Sequence, residues 1–450
     1  MTLLRTSNGS GQSTAGSSGL SPAAVLRRAV RGMTIGEAVE TLMRDGMPLR
    51  FTAYDGSSAG DPDSDVGVHL ASRKGLAYLL TAPGDLGLAR AYVAGELQVV
   101  GAHEGDPYEV MVRLMNHTKM RRPRLAELPR LLAALEPAHL LPPPVPPQEH
   151  LPPWRRAMEG LRHSQSRDAE AISHHYDVSN AFYERVLGPS MTYTCAAYPH
   201  ESSTLEEAQS EKYDLVCRKL GLQQGMQLLD IGCGWGGMVR HAAREYGVRV
   251  VGATLSAEQA AWAQAAIERE GLADLAEVRH SDYRAIPETG FDAVSSIGLT
   301  EHIGVKQYPA YFAWIADRLR DGGRLLNHSI TRPHDEPTRT GHFIDRYVFP
   351  DGELTGVATI GRHAAAAGLE IQHVENLRRH YAMTLRDWCA NLVDHWDECV
   401  ELTDLGTARV WGLYMASCRL GFERDEIELH QVLATKTVDG FDGMPLRHDW

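Results

Sequence analysis

Several features that define other classes of protein are scarce or absent in this sequence. No apolar run approaches the ~20 residues that a membrane-spanning helix needs, and the Gly- and Ser-rich start lacks the apolar core of a signal peptide. The 6 cysteines in 450 residues form no CxxC pair, which argues against a disulfide scaffold and the common zinc sites. Basic residues are outnumbered, with 45 Lys and Arg against 58 Asp and Glu, which argues against a nucleic-acid binder. We expect a cytoplasmic protein with reduced thiols and no metal.

A length of 450 residues predicts two or three domains. The proline-rich segment that begins at 141 marks a stiff, extended boundary between them. We divide the chain into a disordered tail (1–30), a smaller mixed α/β N-terminal accessory domain (31–140), a proline-rich linker (141–164), a larger domain (165–437) and a C-terminal tail (438–450) that we expect to be loose.

The larger domain alternates apolar strands with helices. MQLLDIG, VRVVGATL, AEVRHSDY, FDAVSSIGL and GRLLNHSI are typical of buried strands, whereas GMVRHAAREYG and SAEQAAWAQAAIEREG are typical of helices. This alternation predicts an α/β fold with a doubly wound, mostly parallel sheet that helices cover on both faces. In such a sheet, ligands bind at the carboxyl ends of the strands.

The first of these strands runs into a glycine-rich loop, LDIGCGWGG, which opens a helix. Gly232, Gly234 and Gly236 allow sharp turns and close approach of a ligand to the backbone. Asp230 precedes them and can hydrogen-bond an ammonium group, and no acid for a dinucleotide ribose follows the second strand. These features favour S-adenosylmethionine (SAM) over NAD or FAD. The alternative is a loop that only packs the helix against the strand.

Two residues after the third strand, Asp282 and Tyr283, stand where an adenine would be contacted. Either residue taken singly is equally typical of a surface turn.

Seven blocks of sequence, in order, resemble the cyclopropane-fatty-acid synthases and the mycolic-acid methyltransferases. The resemblance runs from about Ile172 to Lys436. The accessory domain resembles that of synthases that modify intact phospholipids, and in particular the actinobacterial branch that makes 10-methylene and 10-methyl fatty acids. The blocks are His174–Asn180, Met191–Ala196, Leu229–Gly237, Thr254–Gln259, Glu301–Gly304, His328–Ile330 and His380–Leu385.

This resemblance implies a Rossmann-like class I SAM-dependent methyltransferase fold and a specific set of site residues. It implies a bound bicarbonate that acts as the base, held by Cys195, Glu301, His328, the backbone of Ile330, and Tyr381. Singly, such residues are more often packed in a core than catalytic. The positions that the resemblance and the strand ends together assign to the cofactor are Tyr193, Thr194, Asp230, Gly232, Gly234, Gly236, Thr254, Leu255, Gln259, Asp282 and Tyr283.

The chemistry that the resemblance implies is methylation of an alkene. Methyl transfer to one alkene carbon leaves positive charge on the other, so the site must stabilise a cation and then remove one proton. Loss of a proton from the new methyl group closes a cyclopropane, whereas a hydride shift followed by proton loss gives an exocyclic methylene. We expect the 10-methylene product from an oleoyl-type phospholipid, with cyclopropane formation as the alternative. Aromatic residues at Phe182, Tyr183, Tyr193 and Tyr198 are candidates for the wall of the acyl tunnel.

Two residues depart from the pattern of the family. Thr300 stands before Glu301, where a large apolar or aromatic side chain is expected, so it should line the acyl pocket or lie just behind it. Glu170, in RDAEAIS, is a carboxylate that could replace bicarbonate as the base, although a solvated helix residue is the simpler interpretation.

A basic stretch between Arg113 and Arg130, followed by the leucine-rich LLAALEPAHLL, favours peripheral contact with the inner face of the membrane. A solvated helix at a domain junction explains it equally well. The resemblance also implies a homodimer as one assembly and, for a methylene product, a flavin-dependent reductase partner. The competing functions are SAM-dependent methylation of another acceptor, a non-catalytic SAM- or lipid-binding protein, and a dehydrogenase.

Overall fold

A computed structural model describes residues 32–117, 121–149, 179–335, 338–339, 341–349, 352–448 and 450. The predicted tail at 1–30 and the alternative base Glu170 lie outside the described residues. None of the helices described is long and apolar enough to cross a membrane.

The N-terminal part combines a small sheet with short helices. The first helix begins at a capping box in which Thr34 and Glu37 satisfy each other's backbone amides. The four strands lie in the order β2-β1-β3-β4, and Phe51 and Val68 lie in the buried core beneath them. The elements are α1 (Ile35–Leu42), β1 (Arg50–Ala53), β2 (Ser58–Ala59), β3 (Gly67–Leu70), α2 (Arg73–Thr81), α3 (Asp85–Val93), β4 (Leu97–Val100), α4 (Tyr108–His117) and α5 (Leu128–Ala134).

A seven-stranded sheet forms the centre of the larger part, in the order β12-β13-β9-β8-β5-β6-β7. The strands from β9 to β7 are parallel, and β13 is antiparallel to its two neighbours. The predicted doubly wound, mostly parallel sheet is therefore confirmed. Its strands are β5 (Gln227–Ile231), β6 (Arg249–Thr254), β7 (Ala276–His280), β8 (Phe291–Ile297), β9 (Leu319–Thr331), β12 (Leu369–Asn376) and β13 (Glu428–Lys436), and a separate short pair is β10 (Thr338–Arg339) with β11 (Glu353–Leu354).

Helices cover this sheet, and five of them contribute to the site described below. The helix after the glycine loop follows β5, as predicted, and the next helix begins at Ser256, whose side chain accepts from the Gln259 amide. The helices are α6 (Asn180–Leu187), α7 (Leu205–Leu220), α8 (Gly237–Tyr246), α9 (Ala257–Arg269), α10 (Thr300–Ile303), α11 (Tyr308–Arg318), α12 (His342–Tyr347), α13 (Val357–Ala366), α14 (Arg378–Asp394), α15 (Trp396–Leu402) and α16 (Leu405–Glu423). The five that contribute to the site are α7, α8, α9, α10 and α14.

The N-terminal part packs directly on the larger part. Glu149, within the predicted linker, is buried between two guanidinium groups, with Arg90 Nε at 2.6 Å and Arg346 Nη1 at 3.0 Å. Ala89 and Val93 of α3 join the core that surrounds the candidate site. The described end of the linker, 141–149, is therefore held in place by contacts from both sides.

The C-terminal segment differs from the expectation of a loose tail. Arg324 Nη2 donates to the Gly443 carbonyl at 2.6 Å, and Met444 and Trp450 pack against the core beneath the sheet. Met444, Trp450 and the Gly443 carbonyl find partners on the larger domain, which the local composition did not indicate, whereas Leu446 is fully exposed.

Candidate active site

The glycine loop connects β5 to α8 and brings the backbone close to its neighbours. Gly232, Gly234 and Gly236 have φ of +74°, +54° and +72°, a region that L-residues rarely adopt. A Cβ on Gly237 would lie 2.0 Å from the Tyr213 hydroxyl. The loop therefore requires glycine for conformation and for space, as a ligand-approaching turn does.

A cavity opens beside this loop at the carboxyl ends of the strands. Its empty volume is about 530 Å³, a figure that includes open solvent at the mouth. Of the residues predicted to hold the cofactor, those that line it are Tyr193, Thr194, Asp230, Gly232, Gly234 and Gln259.

The remaining cofactor candidates do not line this cavity, although all lie along the same edge of the sheet. Thr254, at the end of β6, donates to Gln259 Oε1 at 2.8 Å and so fixes a lining side chain. Asp282 pairs with Arg284, and Tyr283 packs edge-on against Trp314 with ring centroids 5.0 Å apart. Gly236 is the last residue of the loop before α8, and Leu255 directly follows β6.

Asp230 provides a negative charge at the base of the cavity. It is buried at the end of β5 and accepts a hydrogen bond from Ser295 Oγ at 2.6 Å. Burial raises the pKa of Asp230 to about 6, against the hydrogen bond from Ser295 and the charge of Lys212. A buried carboxylate beside an open cavity fits the ammonium group of an amino-acid ligand such as SAM.

Lys212, which no motif marks in the sequence, also lines the cavity. This fully buried residue of α7 donates from Nζ to Thr194 Oγ1 at 3.1 Å, and Nζ lies 3.7 Å from the centre of the Tyr213 ring. Burial lowers the pKa of Lys212 to about 7. Only its place on the largely apolar face of α7, one turn from Ala208 and one turn from Val216, could have singled it out.

None of the five residues assigned to the bicarbonate lines this cavity, but β9 adjoins it, because the amide of Gly298, which lines the cavity, donates to the His328 carbonyl at 2.8 Å. Glu301, on the short helix α10, accepts the Ile330 amide through Oε1 at 2.9 Å. Its other oxygen, Oε2, is buried and has no hydrogen-bond partner among the described residues. Burial raises the pKa of Glu301 to about 6. The Ile330 amide, which the resemblance assigns to bicarbonate, is engaged by Glu301 here because the strand neighbour β8 ends before it.

His328 precedes Ile330 by two residues and lies on the same face of β9. It is fully buried, and its Nε2 atom has no hydrogen-bond partner among the described residues. Burial lowers the pKa of His328, so the ring is neutral at neutral pH. Glu301 and His328 thus each present one unsatisfied polar atom in the same neighbourhood, which is unusual for buried groups.

Cys195 and Tyr381 are tied together through one carbonyl. Leu377 O accepts from the Tyr381 amide at 3.1 Å and lies 3.8 Å from Cys195 Sγ. Burial raises the pKa of both the Cys195 thiol and the Tyr381 hydroxyl. A thiol held protonated in this way is a poor nucleophile, which agrees with a positional role for Cys195.

Aromatic rings line one side of this region. The Trp388 ring lies 5.3 Å from Tyr193 and 6.1 Å from Tyr381, measured between centroids. Of the residues proposed for the tunnel wall, only Tyr193 lines the cavity. Phe182 and Tyr183 are completely buried in the core.

Hydrogen bonds fix the positions of Tyr198, the fourth ring proposed for the tunnel wall, and of Thr300. Tyr198 is mostly buried and donates to Asp387 Oδ2 at 2.8 Å, which holds it in the core. Thr300 is fully buried and hydrogen-bonded to Asn327, so it lies behind Glu301 and not in the cavity.

Comparison with known proteins decides the family. Residues 163–432 match the family described as mycolic acid cyclopropane synthetase. The chain belongs to the mycolic acid cyclopropane synthetase family. It is therefore a SAM-dependent methyltransferase from a family that acts on the double bonds of lipids, as the sequence predicted.

Two relatives match this family member over almost their full lengths. A probable fatty acid methyltransferase of Mycobacterium tuberculosis is 59% identical over 422 residues, which are 93% of this chain and 98% of the relative. A probable fatty acid methyltransferase of Pseudomonas putida is 39% identical over 89% of this chain and 95% of its own length.

Solved structures match the larger domain. The cyclopropane synthase MmaA2 of M. tuberculosis superimposes with a TM-score of 0.56 at 33% identity, covering 59% of this chain and 98% of that one. The mycolic acid cyclopropane synthase CmaA1, solved with SAH and CTAB, has a TM-score of 0.56 at 32% identity, covering 59% of this chain and 97% of that one. With the fit of the glycine loop and Asp230, these matches support SAM as the cofactor.

Proposed function

We propose that this methyltransferase modifies the double bond of oleoyl-type acyl chains in phospholipids, with a 10-methylene acyl chain, the precursor of a 10-methyl branch, as the favoured product. The carrying observation is the pair of buried, unsatisfied polar atoms, Glu301 Oε2 and His328 Nε2, beside the cofactor cavity. Such atoms are costly unless a ligand satisfies them. A bicarbonate ion suits both atoms, because its hydroxyl group can donate to Glu301 Oε2 while a charged oxygen accepts from His328 Nε2.

The cofactor, when bound, supplies an electrophilic methyl group. Asp230 and the glycine loop hold its amino-acid end, and the loop's close backbone approach orients it. The alkene carbon that does not receive the methyl becomes cationic, and the rings of Tyr193 and Trp388 face this charge. Burial excludes water, which would otherwise capture the cation.

Proton removal completes the reaction. Glu301, His328 and Tyr381 hold a bicarbonate or position a local carboxylate, which takes one proton from the methylated chain. Tyr381 has a raised pKa and remains protonated, so it can donate a hydrogen bond to such an anion. In both products the proton leaves from the transferred methyl group. A hydride shift between the two former alkene carbons before proton loss gives the methylene, and proton loss without that shift closes the cyclopropane, which is the alternative product on the same substrate.

The substrate class is supported by the extent of the similarities. The mycolate enzymes match only the larger domain, 59% of this chain, whereas the fatty acid methyltransferases match 89% or more of it, including the accessory domain. An acyl chain of an ordinary lipid therefore suits this chain better than a mycolate does.

Access to a phospholipid requires contact with a bilayer, and the accessory domain offers an apolar and basic surface. On and around α5, Leu125 and Leu132 are 85% and 65% exposed, close in sequence to Arg122 and Arg124. We infer peripheral attachment to the inner face of the membrane through this segment. A homodimer and a flavin-dependent reductase that saturates the methylene are further proposals, and both rest on family resemblance.

The test is a reconstituted assay. Purified full-length chain receives SAM and vesicles of dioleoyl phospholipid, with and without bicarbonate, and vesicles of distearoyl phospholipid serve as the control without a double bond. A gain of one CH2 with vinylidene protons in NMR supports the methylene product, and upfield ring protons support the cyclopropane. No mass gain on oleoyl chains would overturn the proposal, and SAM binding without turnover would point to a non-catalytic protein.

A further inference from the structure

A row of polar side chains crosses three neighbouring strands on the face that carries His328. In the sheet register, His328 of β9 stands opposite Gln431 of β13, which stands opposite Glu375 of β12. Gln431 Nε2 lies 3.2 Å from His328 Nδ1. Lys219 of α7 closes the row: its Nζ donates to Gln431 Oε1 at 2.7 Å and pairs with the Glu375 carboxylate.

Three of the four residues in this row are shielded from solvent. His328, Gln431 and Lys219 are all fully buried, so each of their polar atoms depends on the protein for a partner. Glu375 is partly exposed and provides the negative charge that accompanies the buried ammonium.

The chemistry of these groups sets the direction of every hydrogen bond. An ammonium only donates, so the Gln431 atom beside Lys219 must be its carbonyl oxygen. The Gln431 amide nitrogen then faces His328 and donates, so His328 Nδ1 must accept. Burial and the charges of Lys212 and Lys219 keep the imidazole neutral, and a neutral ring carries a single N–H. That proton is therefore on Nε2.

We propose that Gln431 and Lys219 are positioning residues that hold His328 in the Nε2-protonated tautomer and so make it a hydrogen-bond donor to the proton-accepting anion. The claim that this tautomer of His328 matters for catalysis rests on the proposed function. His328 Nε2 lies on the side of the ring away from Gln431, has no partner among the described residues, and belongs to the strand that Glu301 contacts through Ile330.

This assignment changes what His328 can do. A ring with its proton on Nε2 orients an anion by donation, and it cannot take the substrate proton through that same atom. The opposite tautomer would direct a lone pair at the anion and repel it. Loss of one preorganised donor of this kind costs ~10²–10³-fold in kcat.

The experiment reads the tautomer directly. Long-range proton–nitrogen NMR spectra are recorded on full-length chain labelled with ¹⁵N-histidine, and the His328 signals are assigned by their loss in His328→Asn. We expect a protonated Nε2 and an unprotonated Nδ1 in the wild-type chain. In Gln431→Glu, the carboxylate accepts both from Lys219 and from the ring, so we expect the proton on Nδ1 and a ~10²-fold or larger loss of kcat.

Gln372→Glu is the matched control, because Gln372 on β12 bonds Thr435 outside the row. It should leave both the His328 spectrum and kcat unchanged, and SAM affinity should be unchanged in both variants. A wild-type spectrum with the proton on Nδ1 would overturn the inference, and this measurement does not depend on the folding of any variant. A Gln431→Glu spectrum like that of the wild type would overturn it as well. An inactive wild-type chain with Nε2 protonated would sink the proposed function and leave the tautomer assignment standing.

Discussion

Replacing Asp230 by Asn removes the one carboxylate among the described residues that line the cofactor cavity and preserves its shape. The wild-type side chain is buried and fixed by Ser295 Oγ at 2.6 Å, so an ammonium group placed there meets a charged acceptor out of bulk water. A hydrogen bond to a charged group contributes ~1.5–3 kcal/mol. At 1.4 kcal/mol per factor of ten, we expect the Kd for SAM to rise ~10- to ~140-fold in Asp230→Asn.

The pH dependence of binding provides a second readout. Because burial raises the pKa of Asp230 to about 6, the free carboxyl is charged above that pH and neutral below it. A cationic ammonium prefers the charged form, so the Kd for SAM rises as the pH falls through about 6. Asparagine does not titrate, so Asp230→Asn lacks this component.

Ser295→Ala is the matched variant, because it retains the carboxylate and removes the hydrogen bond that favours its charged form. We expect the midpoint of the pH dependence to move to higher pH, with a smaller loss of affinity than in Asp230→Asn. Lys212, whose pKa is lowered to about 7 by burial and raised in part by the charge of Asp230, also titrates in the cavity. Its contribution is shared by the wild-type chain and Ser295→Ala, whereas in Asp230→Asn its pKa falls further, so the variant is compared at pH values above that titration.

Isothermal titration calorimetry with SAM, from about pH 5 to about pH 8, measures these values without turnover. An Asp230→Asn variant with wild-type affinity and a wild-type pH profile would refute the assignment of Asp230 to the ammonium group.

Three further predictions concern catalysis, stability and reactivity. Glu301→Gln should retain SAM affinity by calorimetry and lose ~10²–10⁴-fold in kcat, and near-normal turnover would contradict a role in proton removal. Glu149→Gln should lower the free energy of unfolding by roughly 3 kcal/mol, because it leaves Arg90 and Arg346 without their buried partner. Burial raises the pKa of Glu149, but the two guanidinium groups outweigh it and lower the pKa overall. The stabilisation is therefore present at neutral pH and is lost in acid as the pH falls through the lowered folded-state pKa. Denaturant titration of the wild-type chain and Glu149→Gln at neutral and acidic pH checks this prediction. The same midpoint for both proteins at neutral pH would contradict it. Cys195 should resist iodoacetamide in the folded chain, because burial raises the pKa of its thiol. Mass spectrometry measures the labelling of this residue, and rapid labelling would contradict its burial.

Much of the fold and half of the cofactor site were predictable because they depend on local sequence. Alternating apolar strands and helices predict a parallel sheet, and the glycines after β5 allow backbone angles that other residues disfavour. Asp230 adjoins those glycines, so a contiguous motif marks it. The catalytic set came from family resemblance, because Cys195, Glu301 and Tyr381 each look ordinary in their own segments.

Other features were invisible in the sequence because they depend on distant segments. The C-terminal segment appeared loose, yet it packs back on Arg324. The aromatic wall of the acyl tunnel stays a prediction: Tyr193 lines the cofactor cavity and Phe182 and Tyr183 lie in the core, and a pattern of rings by itself does not distinguish a core from a tunnel. Lys212 carried no motif, and only the docking of α7 against the glycine loop places its ammonium in the cavity.

The sequence by itself determined the class of fold, the turn that approaches the cofactor and the carboxylate beside it, because each follows from the conformational and chemical preferences of residues close together in the chain. Only the tertiary structure decided how the buried polar groups pair. His328, Gln431 and Lys219 are far apart in sequence, and the register of β9 with β13 and the packing of α7 bring them into one hydrogen-bonded row. Burial makes those groups depend on one another and on Glu375 for their partners, so the direction of every hydrogen bond in the row is a property of the folded chain.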